Sequence, residues 1–228
     1  WGIRTYPAER YAIAFASHGA GWQGLITDYS SDTIITLPEI TQAFDATREQ
    51  TSIDRFDLLL NDACLMSSVE YHSIMANYFD ISIASPEIVV DPALDMTILT
   101  TTLQQDPDVD LARLSQNLVD TYITQDVAAR ESSESVFMAE SVTDLRQFTP
   151  VVDATEAFAQ IVNQSPLQYS NVIGLARSNA YTYSYFLGGN TMIDLGHYMQ
   201  QIIVLSDDVV LVEAARNVVQ AIETARLY

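Results

Sequence analysis

The chain has 228 residues and a mass of 25.3 kDa, which suits one domain, or one domain with a subdomain, and is enough to bury a substantial core. Its 10 basic residues are all arginine, and 30 acidic residues bring the formal net charge to −20, so we do not expect nucleic acid as a partner. A membrane is not expected either, because no apolar run approaches the roughly 18 residues of a spanning helix, and the single cysteine excludes an intrachain disulfide.

The first predicted strand ends in a histidine. It covers Tyr11–Ser17 and continues into His18 and a glycine-rich turn. The polar, Ser/Thr-rich segment Asp28–Thr36 predicts a loop. A Thr-x-x-Glu capping box with proline in the first turn then predicts a helix to about Gln50.

The second predicted strand ends in an acid and the only cysteine. Phe56–Leu60 is an apolar run of the kind found in buried parallel strands, and Asp62 and Cys64 follow it. Apolar residues at helical spacing predict a helix over Ser67–Phe79, and Asp80–Ser85 predicts a third strand. This alternation of strands and helices indicates a parallel sheet covered by helices on both faces.

The remainder of the chain is predicted to be mainly helical after one more strand. Residues 1–145 form the predicted core, and residues 146–228 a helix-rich portion of the same unit. The predicted elements are, in order, a loop at Pro86–Asp95, helices at about Met96–Gln104 and Asp110–Gln125, an exposed polar segment at Arg130–Ser135, a strand at Ser135–Ser141, a helix at Pro150–Asn163, a hairpin at Tyr181–Leu187 that turns at residues 188–190, and helices at Ile193–Leu205 and Asp208–Arg226.

The two strand ends point to thiol chemistry. Ligands of open α/β sheets bind beyond the carboxyl ends of the strands, so His18 and Cys64 are delivered to the same edge. A lone cysteine or histidine is more often structural, but a nucleophilic thiol needs a neighbouring base, which His18 supplies. It also needs backbone N–H donors for the oxyanion, and the amides of Gly19 and Cys64 are candidates.

These residues also carry a family resemblance. The motifs His18-Gly19-x-Gly21-Trp22 and Asp62-Ala63-Cys64-Leu65-Met66-x-x-Val69-Glu70 resemble the clostripain family of cysteine endopeptidases, within the caspase and gingipain fold group. Further similar segments spread the resemblance from about residue 6 to residue 205: Tyr6-Pro7-Ala8, Ala84-Ser85-x-Glu87 and Ile193-Asp194-Leu195.

The resemblance implies an α/β fold, a caspase-like α/β/α sandwich with a mainly parallel central sheet and a helical C-terminal portion. Cys64 would be the nucleophile and His18 the general base and acid, with Gly19 and Cys64 at the oxyanion site. Asp62 would face a basic side chain, so the substrate would be a peptide or protein cut after arginine or lysine. Relatives have further strands before the histidine strand, so we expect this chain to be a fragment or a processed piece of a longer precursor.

Two departures from the family pattern make substrate preference less secure than reaction type. Ala20 stands where glycine is common, and the loop Pro86–Asp95 lacks the usual glycine and tryptophan. Two alternatives stay open: a catalytically silent relative that binds peptides, and a cysteine acyl-transfer enzyme with another specificity. Family members are often matured by a cut between the catalytic strands, where the available basic residues are Arg48 and Arg55, with Arg48 the better placed.

Other histidines and acidic residues are weaker candidates for a catalytic base or a metal site. His72 lies about 12 Å beyond Cys64 along a predicted helix, and His197 follows no strand end. The Asp106-x-Asp108-x-Asp110 segment lacks the glycine and the closing glutamate of a calcium loop. We therefore expect no metal site and no cofactor, although calcium dependence occurs in the family. The oligomeric state stays open, as does the compartment, for which secretion and the bacterial cell envelope are candidates.

Overall fold

The structure is a computed structural model that describes residues 1–89, 94–129, 139–183 and 192–228. These residues form two compact units, Trp1–Arg146 with Leu227–Tyr228, and Gln147–Arg226. The predicted segment Arg130–Ser135 and the predicted turn at residues 188–190 lie outside the described residues, as do parts of the predicted Pro86–Asp95 loop and Ser135–Ser141 strand.

The first unit contains the predicted sheet and its helices. Its elements, in chain order, are α1 (Gly2–Thr5), β1 (Ala12–Ala16), β2 (Leu25–Asp28), β3 (Thr33–Ile35), α2 (Leu37–Gln50), β4 (Phe56–Asp62), α3 (Val69–Met75), β5 (Phe79–Ala84), α4 (Met96–Gln105), α5 (Leu111–Ala129) and β6 (Ser141–Asp144). The central sheet has the strand order β1-β4-β5-β6. The first three strands are parallel and β6 is antiparallel to β5, which confirms a mainly parallel sheet.

Helices cover both faces of this sheet. On one face, α4 and α5 pack on alternate residues of β4, β5 and β6, including Leu60, Ile83 and Val142. On the other face, Phe44 of α2 makes a ring contact with Phe15 of β1, and the Tyr71 hydroxyl of α3 donates a hydrogen bond of 2.6 Å to Asn61 of β4. Burial of these apolar side chains fixes the register, because a slip by one residue would turn each strand's core residues outward.

Residues 227–228 lie along the outer edge of β6. The Val142 amide donates a hydrogen bond of 3.0 Å to the Tyr228 carbonyl, and the Leu227 amide donates one of 2.8 Å to the Val142 carbonyl. The Tyr228 hydroxyl also donates to Asp120 of α5 at 2.6 Å. An edge strand with unpaired backbone groups would be open to another chain, and these bonds cover that edge.

The predicted loop Asp28–Thr36 is partly a hairpin. β2 and β3 pair as antiparallel strands, and their turn is held by the Asp28 carboxylate, which accepts hydrogen bonds from Ser30 and Ser31. These hydrogen bonds also lower the pKa of Asp28. Such short polar strands lack the apolar alternation that marks a strand in sequence, so composition alone favours a loop.

The second unit is largely helical. It contains α6 (Thr149–Gln164), α7 (Pro166–Asn179), β7 (Thr182–Tyr183), β8 (Met192–Ile193), α8 (Leu195–Leu205) and α9 (Val209–Ala225). β7 and β8 pair as an antiparallel hairpin, and apolar residues of the four helices form one core. Among the helices described, none combines the length and the apolar character that a membrane-spanning segment needs.

Candidate active site

His18 and Cys64 lie at matching positions beyond two paired strands. β1 and β4 are parallel neighbours in which Ala16 pairs with Asp62, so His18 and Cys64 each follow this pair by two residues. The Ser17 amide donates a hydrogen bond of 3.2 Å to the Asp62 carbonyl and extends the pairing. Neighbouring strands are about 4.8 Å apart, so the imidazole and the thiol belong to the same edge of the sheet.

Gly19 lies against the backbone of Cys64. A Cβ atom at Gly19 would stand 2.2 Å from the Cys64 carbonyl oxygen and 2.7 Å from the Met66 sulfur. No side chain fits at such distances. The missing side chain of glycine therefore allows the two strand ends to approach each other.

The Gly19 amide is left out of the local backbone pairing. Gly19 faces Leu25 in an isolated antiparallel bridge, whose two hydrogen bonds of 2.9 Å are donated by the amides of Ala20 and Ile26. Within the part of the chain that the structure describes, neither the Gly19 amide nor the Cys64 amide donates a hydrogen bond. Both predicted oxyanion donors are thus available to a ligand as far as the described residues are concerned.

The two reactive side chains have different surroundings. His18 is exposed, and its ring stands edge-on to Tyr29 with a centroid separation of 5.4 Å. Cys64 is a free, half-buried thiol whose Sγ accepts a hydrogen bond of 3.4 Å from the Val89 amide and lies 3.9 Å from the Val89 carbonyl oxygen. The loop after β5 therefore holds the sulfur in position, and no sequence motif indicates this contact.

The backbone turns sharply after Cys64. Leu65 has a φ of 65°, in the left-handed region that costs a residue with a side chain about 1–3 kcal/mol. The Leu65 amide donates to the Glu87 carbonyl at 3.1 Å, and the Ser67 amide donates to the Ser85 carbonyl at 2.9 Å. These bonds to the loop after β5 hold the strained turn in place.

Ser85 organises that loop from within. Its buried Oγ lies 2.9 Å from the Glu87 carbonyl oxygen and 2.6 Å from the Ala139 carbonyl oxygen, and it accepts a hydrogen bond of 3.0 Å from the Glu87 amide. The Glu87 carboxylate in turn accepts from the Ile88 amide at 3.0 Å. Ser85 and Glu87, which the sequence singles out only by resemblance, therefore position the segment that contacts the thiol.

Two acidic residues lie at the same edge of the sheet. Asp62, the last residue of β4, is half-buried. Glu140 precedes β6, and its Oε1 is buried without a hydrogen-bond partner among the described residues, although the residue as a whole is only half-buried. Burial raises the pKa of Glu140 well above its usual range, and the negative charge of Asp62 raises it further. Sequence reasoning missed Glu140, because only strand register places it near Asp62.

The other two histidines are engaged elsewhere. His72 is buried in α3, and burial lowers its pKa to about 4, so its imidazole is neutral at physiological pH. His197, in α8 of the second unit, accepts a hydrogen bond of 3.0 Å from the Tyr181 amide and stacks on the Tyr181 ring. Both have structural surroundings, and His72 lies within α3 and not at the end of a strand.

The described residues do not offer a metal site. They contain no group of three or more His, Cys, Asp or Glu side chains arranged to hold an ion. In the Asp106–Asp110 segment, the Asp110 carboxylate instead caps α5 by accepting a hydrogen bond of 2.8 Å from the Arg113 amide. Asp110 therefore has a structural role in this segment, as a helix cap.

Solved structures of C11 cysteine proteases share this fold. A secreted C11 cysteine protease from Bacteroides thetaiotaomicron, in complex with an irreversible peptide inhibitor, is 20% identical with a TM-score of 0.72, and the match covers 99% of this chain and 59% of that one. An inactive zymogen C11 protease from Parabacteroides distasonis is 17% identical with a TM-score of 0.67, and the match covers 100% of this chain and 57% of that one.

A clostripain from Bacteroides thetaiotaomicron, in complex with a peptide inhibitor, is 14% identical with a TM-score of 0.52, and the match covers 89% of this chain and 78% of that one. The chain thus spans slightly less than three fifths of the length of the first two structures. No curated protein gives a significant sequence match. The shared fold confirms the predicted α/β class with its helical C-terminal portion.

The family comparison covers nearly the whole chain. The model that describes the clostripain family matches residues 2–227, a range that contains both strand ends and every residue of the site described above. The chain therefore belongs to the clostripain family.

Proposed function

We propose that this protein is a cysteine endopeptidase that cleaves peptide bonds after arginine, with lysine as its second choice. The observation that carries the proposal is the register of β1 and β4. It sets His18 and Cys64 at equivalent positions beyond paired strand ends, with Gly19 against the Cys64 backbone. A base, a thiol and two backbone donors at one edge are the parts that acyl transfer requires.

The proposed reaction begins when His18 removes the proton of the Cys64 thiol. The sulfur then attacks the carbonyl carbon of the scissile bond, and the N–H groups of Gly19 and Cys64 bind the resulting oxyanion. His18 gives its proton to the leaving amine as the C–N bond breaks, which leaves a thioester on Cys64. Water, deprotonated by His18, attacks this thioester and releases the carboxylate product and the free thiol.

Asp62 is proposed to bind the basic side chain of the substrate. Asp62 is the last residue of β4, and the alternation of side chains puts it on the same face of the sheet as Leu60. It precedes Cys64 by two residues, so a carboxylate lies close to the nucleophile along the chain. A carboxylate can bind guanidinium through two parallel hydrogen bonds, but it meets an ammonium as a point charge, so arginine is favoured over lysine. The formal net charge of −20 favours encounter with basic peptides.

Solved relatives support a peptide substrate and a regulated enzyme. Two of them are described in complex with peptide inhibitors, one as an inactive zymogen and one as secreted. By analogy, we propose peptide binding at the same edge of this sheet, maturation by cleavage, and secretion for this chain.

The first experiment separates the proposed function from its alternatives. An arginyl acyloxymethylketone should label the wild-type protein once, on Cys64, as read by intact mass. The Cys64→Ala variant should not be labelled, and His18→Ala should be labelled far more slowly. A silent peptide-binding relative would show no labelling, and an acyl-transfer enzyme of another specificity would react with non-arginyl reagents instead.

A second experiment tests Asp62. Asp62→Asn should lower kcat/KM for arginyl substrates by about 10- to 100-fold more than for neutral ones, since a charge-assisted pair is lost. Asp57→Asn is the matched control, because Asp57 lies at the opposite end of β4 and accepts a hydrogen bond from the Tyr11 amide. Equal losses for all substrates in Asp62→Asn would make Asp62 a structural residue.

A further inference from the structure

Strand register places Glu140 and Asp62 on one face of the sheet. Leu60 pairs with Ile83 and Ile83 with Val142, and these three residues belong to the core on the α4 and α5 face. Side chains alternate along a strand, so Asp62, two residues after Leu60, continues the same face. Glu140, two residues before Val142, does so from the antiparallel side. Both carboxylates therefore lie at the edge that holds Cys64.

Burying the Glu140 carboxylate without a partner costs folding free energy. Its Oε1 is shielded from solvent and has no hydrogen-bond partner among the described residues. A buried carboxylate without a partner either takes up a proton or pairs with a cation. Burial and the negative charge of Asp62 both raise the pKa of Glu140, which is the first of these two responses. The second response requires a cation, and no arginine within the described ranges is paired with Glu140.

The chemistry of the edge favours an organic cation over a metal ion. Within the described ranges, no third His, Cys, Asp or Glu completes a metal-binding group. β5 lies between β4 and β6, so the backbones that carry the two acids are about 10 Å apart. A cation that contacts both acids must therefore span the gap between β4 and β6. A planar guanidinium, with five N–H donors, can bridge such a gap, whereas an ammonium is compact.

We propose that Glu140 is a second specificity-determining residue, which joins Asp62 in binding the guanidinium of an arginine side chain in the substrate. The inference rests on the proposed peptidase function and adds a second acidic residue to the pocket that binds the basic side chain of the substrate. The entering guanidinium supplies the positive charge and the hydrogen-bond donors that the buried Glu140 Oε1 lacks, and a proton carried by Glu140 is released to solvent. Because two acids on separate strands match a fork of donors, Glu140 favours arginine over lysine.

Steady-state kinetics on the intact chain test this role. Glu140→Gln keeps the size of the side chain, and it should lower kcat/KM for an arginyl substrate by about 10- to 100-fold more than for a neutral one. The loss should lie mainly in KM, since the guanidinium is bound in both the ground state and the transition state. The ratio of arginyl to lysyl cleavage should fall, and Glu140→Asp should restore part of it.

Asp144→Asn is the matched control, because Asp144 lies at the other end of β6, where it pairs with Arg146. It should leave the arginyl preference unchanged. Losses in Glu140→Gln that are equal for arginyl and neutral substrates would overturn the proposal, as would the absence of any loss.

A binding measurement separates failure of this inference from failure of the proposed function. Agmatine, the decarboxylated form of arginine, should bind the Cys64→Ala protein in calorimetry, and adding Glu140→Gln should weaken its binding by about 10- to 100-fold. If agmatine needs Glu140 but the wild-type protein cleaves no peptide, the pocket stands and the peptidase proposal fails. If peptides are cleaved after arginine but agmatine does not bind, or binds equally well without Glu140, this inference fails alone.

Discussion

Gly19→Ala should damage the site through sterics alone. A Cβ atom there would lie 2.2 Å from the Cys64 carbonyl oxygen, and real contacts of this kind do not fall below about 3.0 Å, so backbone must move by about 0.8 Å. The Met66 sulfur lies 2.7 Å from the same Cβ position, so the new methyl group cannot avoid the carbonyl oxygen by moving toward Met66. Overpacking of this size costs about 1–3 kcal/mol of folding free energy. A displacement near 1 Å between reacting groups can cost about 100-fold in rate.

Gly174→Ala is the matched control. Gly174 lies in α7, and a Cβ atom there would meet nothing within 4 Å. The same substitution should therefore stabilise the protein by about 0.5–1 kcal/mol, because alanine is the better helix former. Urea unfolding and the rate of labelling at Cys64 measure both effects. If Gly19→Ala unfolds and reacts like the wild type, the argument from close approach is wrong.

Three further outcomes are expected. The folded-state pKa of His72 is about 4 and its unfolded value about 6.5, so its contribution to stability, up to about 3 kcal/mol, is complete above pH 6.5 and is lost as the pH falls toward 4. Urea unfolding at pH 7 and pH 4.5 should show this loss in the wild type and a smaller one in His72→Leu; equal losses would contradict it. Ser85→Ala leaves the Glu87 amide and two carbonyl groups without the hydroxyl, so it should cost about 1–3 kcal/mol in urea unfolding and slow the labelling of Cys64, whereas unchanged labelling would refute the role of this loop. Intact mass should show the active protein either uncut or, between the two catalytic strands, cut only after Arg48, with Cys64→Ala uncut; a self-inflicted cut within residues 28–36, which contain no basic residue, would contradict both the site and the arginine specificity.

Arg48 illustrates what sequence reasoning can and cannot supply about such a cut. Its place at the end of a helix is confirmed, since α2 ends at Gln50. The contacts of its side chain, in contrast, are revealed by no sequence pattern: the Arg48 Nε donates to the Asp54 carbonyl at 2.8 Å, and its guanidinium lies 4.5 Å above the Tyr78 ring. A cut there must first break these contacts, so it should be slow.

Much of the fold was within reach of the sequence. The strand that leads to Cys64 is recognisable because its central residues Leu58–Leu60 are buried on both faces and are all apolar, and β4 extends over Phe56–Asp62. α7 was not predicted, because few of its residues are buried and no apolar stripe marks it. Local pattern finds an element only where burial has imposed a period.

The two motifs of the candidate site could be predicted from the sequence, but the residues that surround them could not. His18, Gly19 and Cys64 follow strands, and the carboxyl ends of parallel strands share an edge. The contacts of Val89 and Glu140 depend instead on the antiparallel pairing of β6 and on the path of the loop after β5. These are long-range features, set by packing between segments far apart in the chain, so no local signal encodes them.

The bonds between Val142 and residues 227–228 have a consequence for biosynthesis. When β6 leaves the ribosome, its outer amide and carbonyl face water, and their partners have yet to be made. The entire Gln147–Arg226 unit is translated in between, so these hydrogen bonds close a loop that contains a whole compact unit. The β6 edge of the nascent sheet therefore stays unpaired for the whole time that the helical unit is being made, and this is the interval in which a chaperone would protect that edge from aggregation.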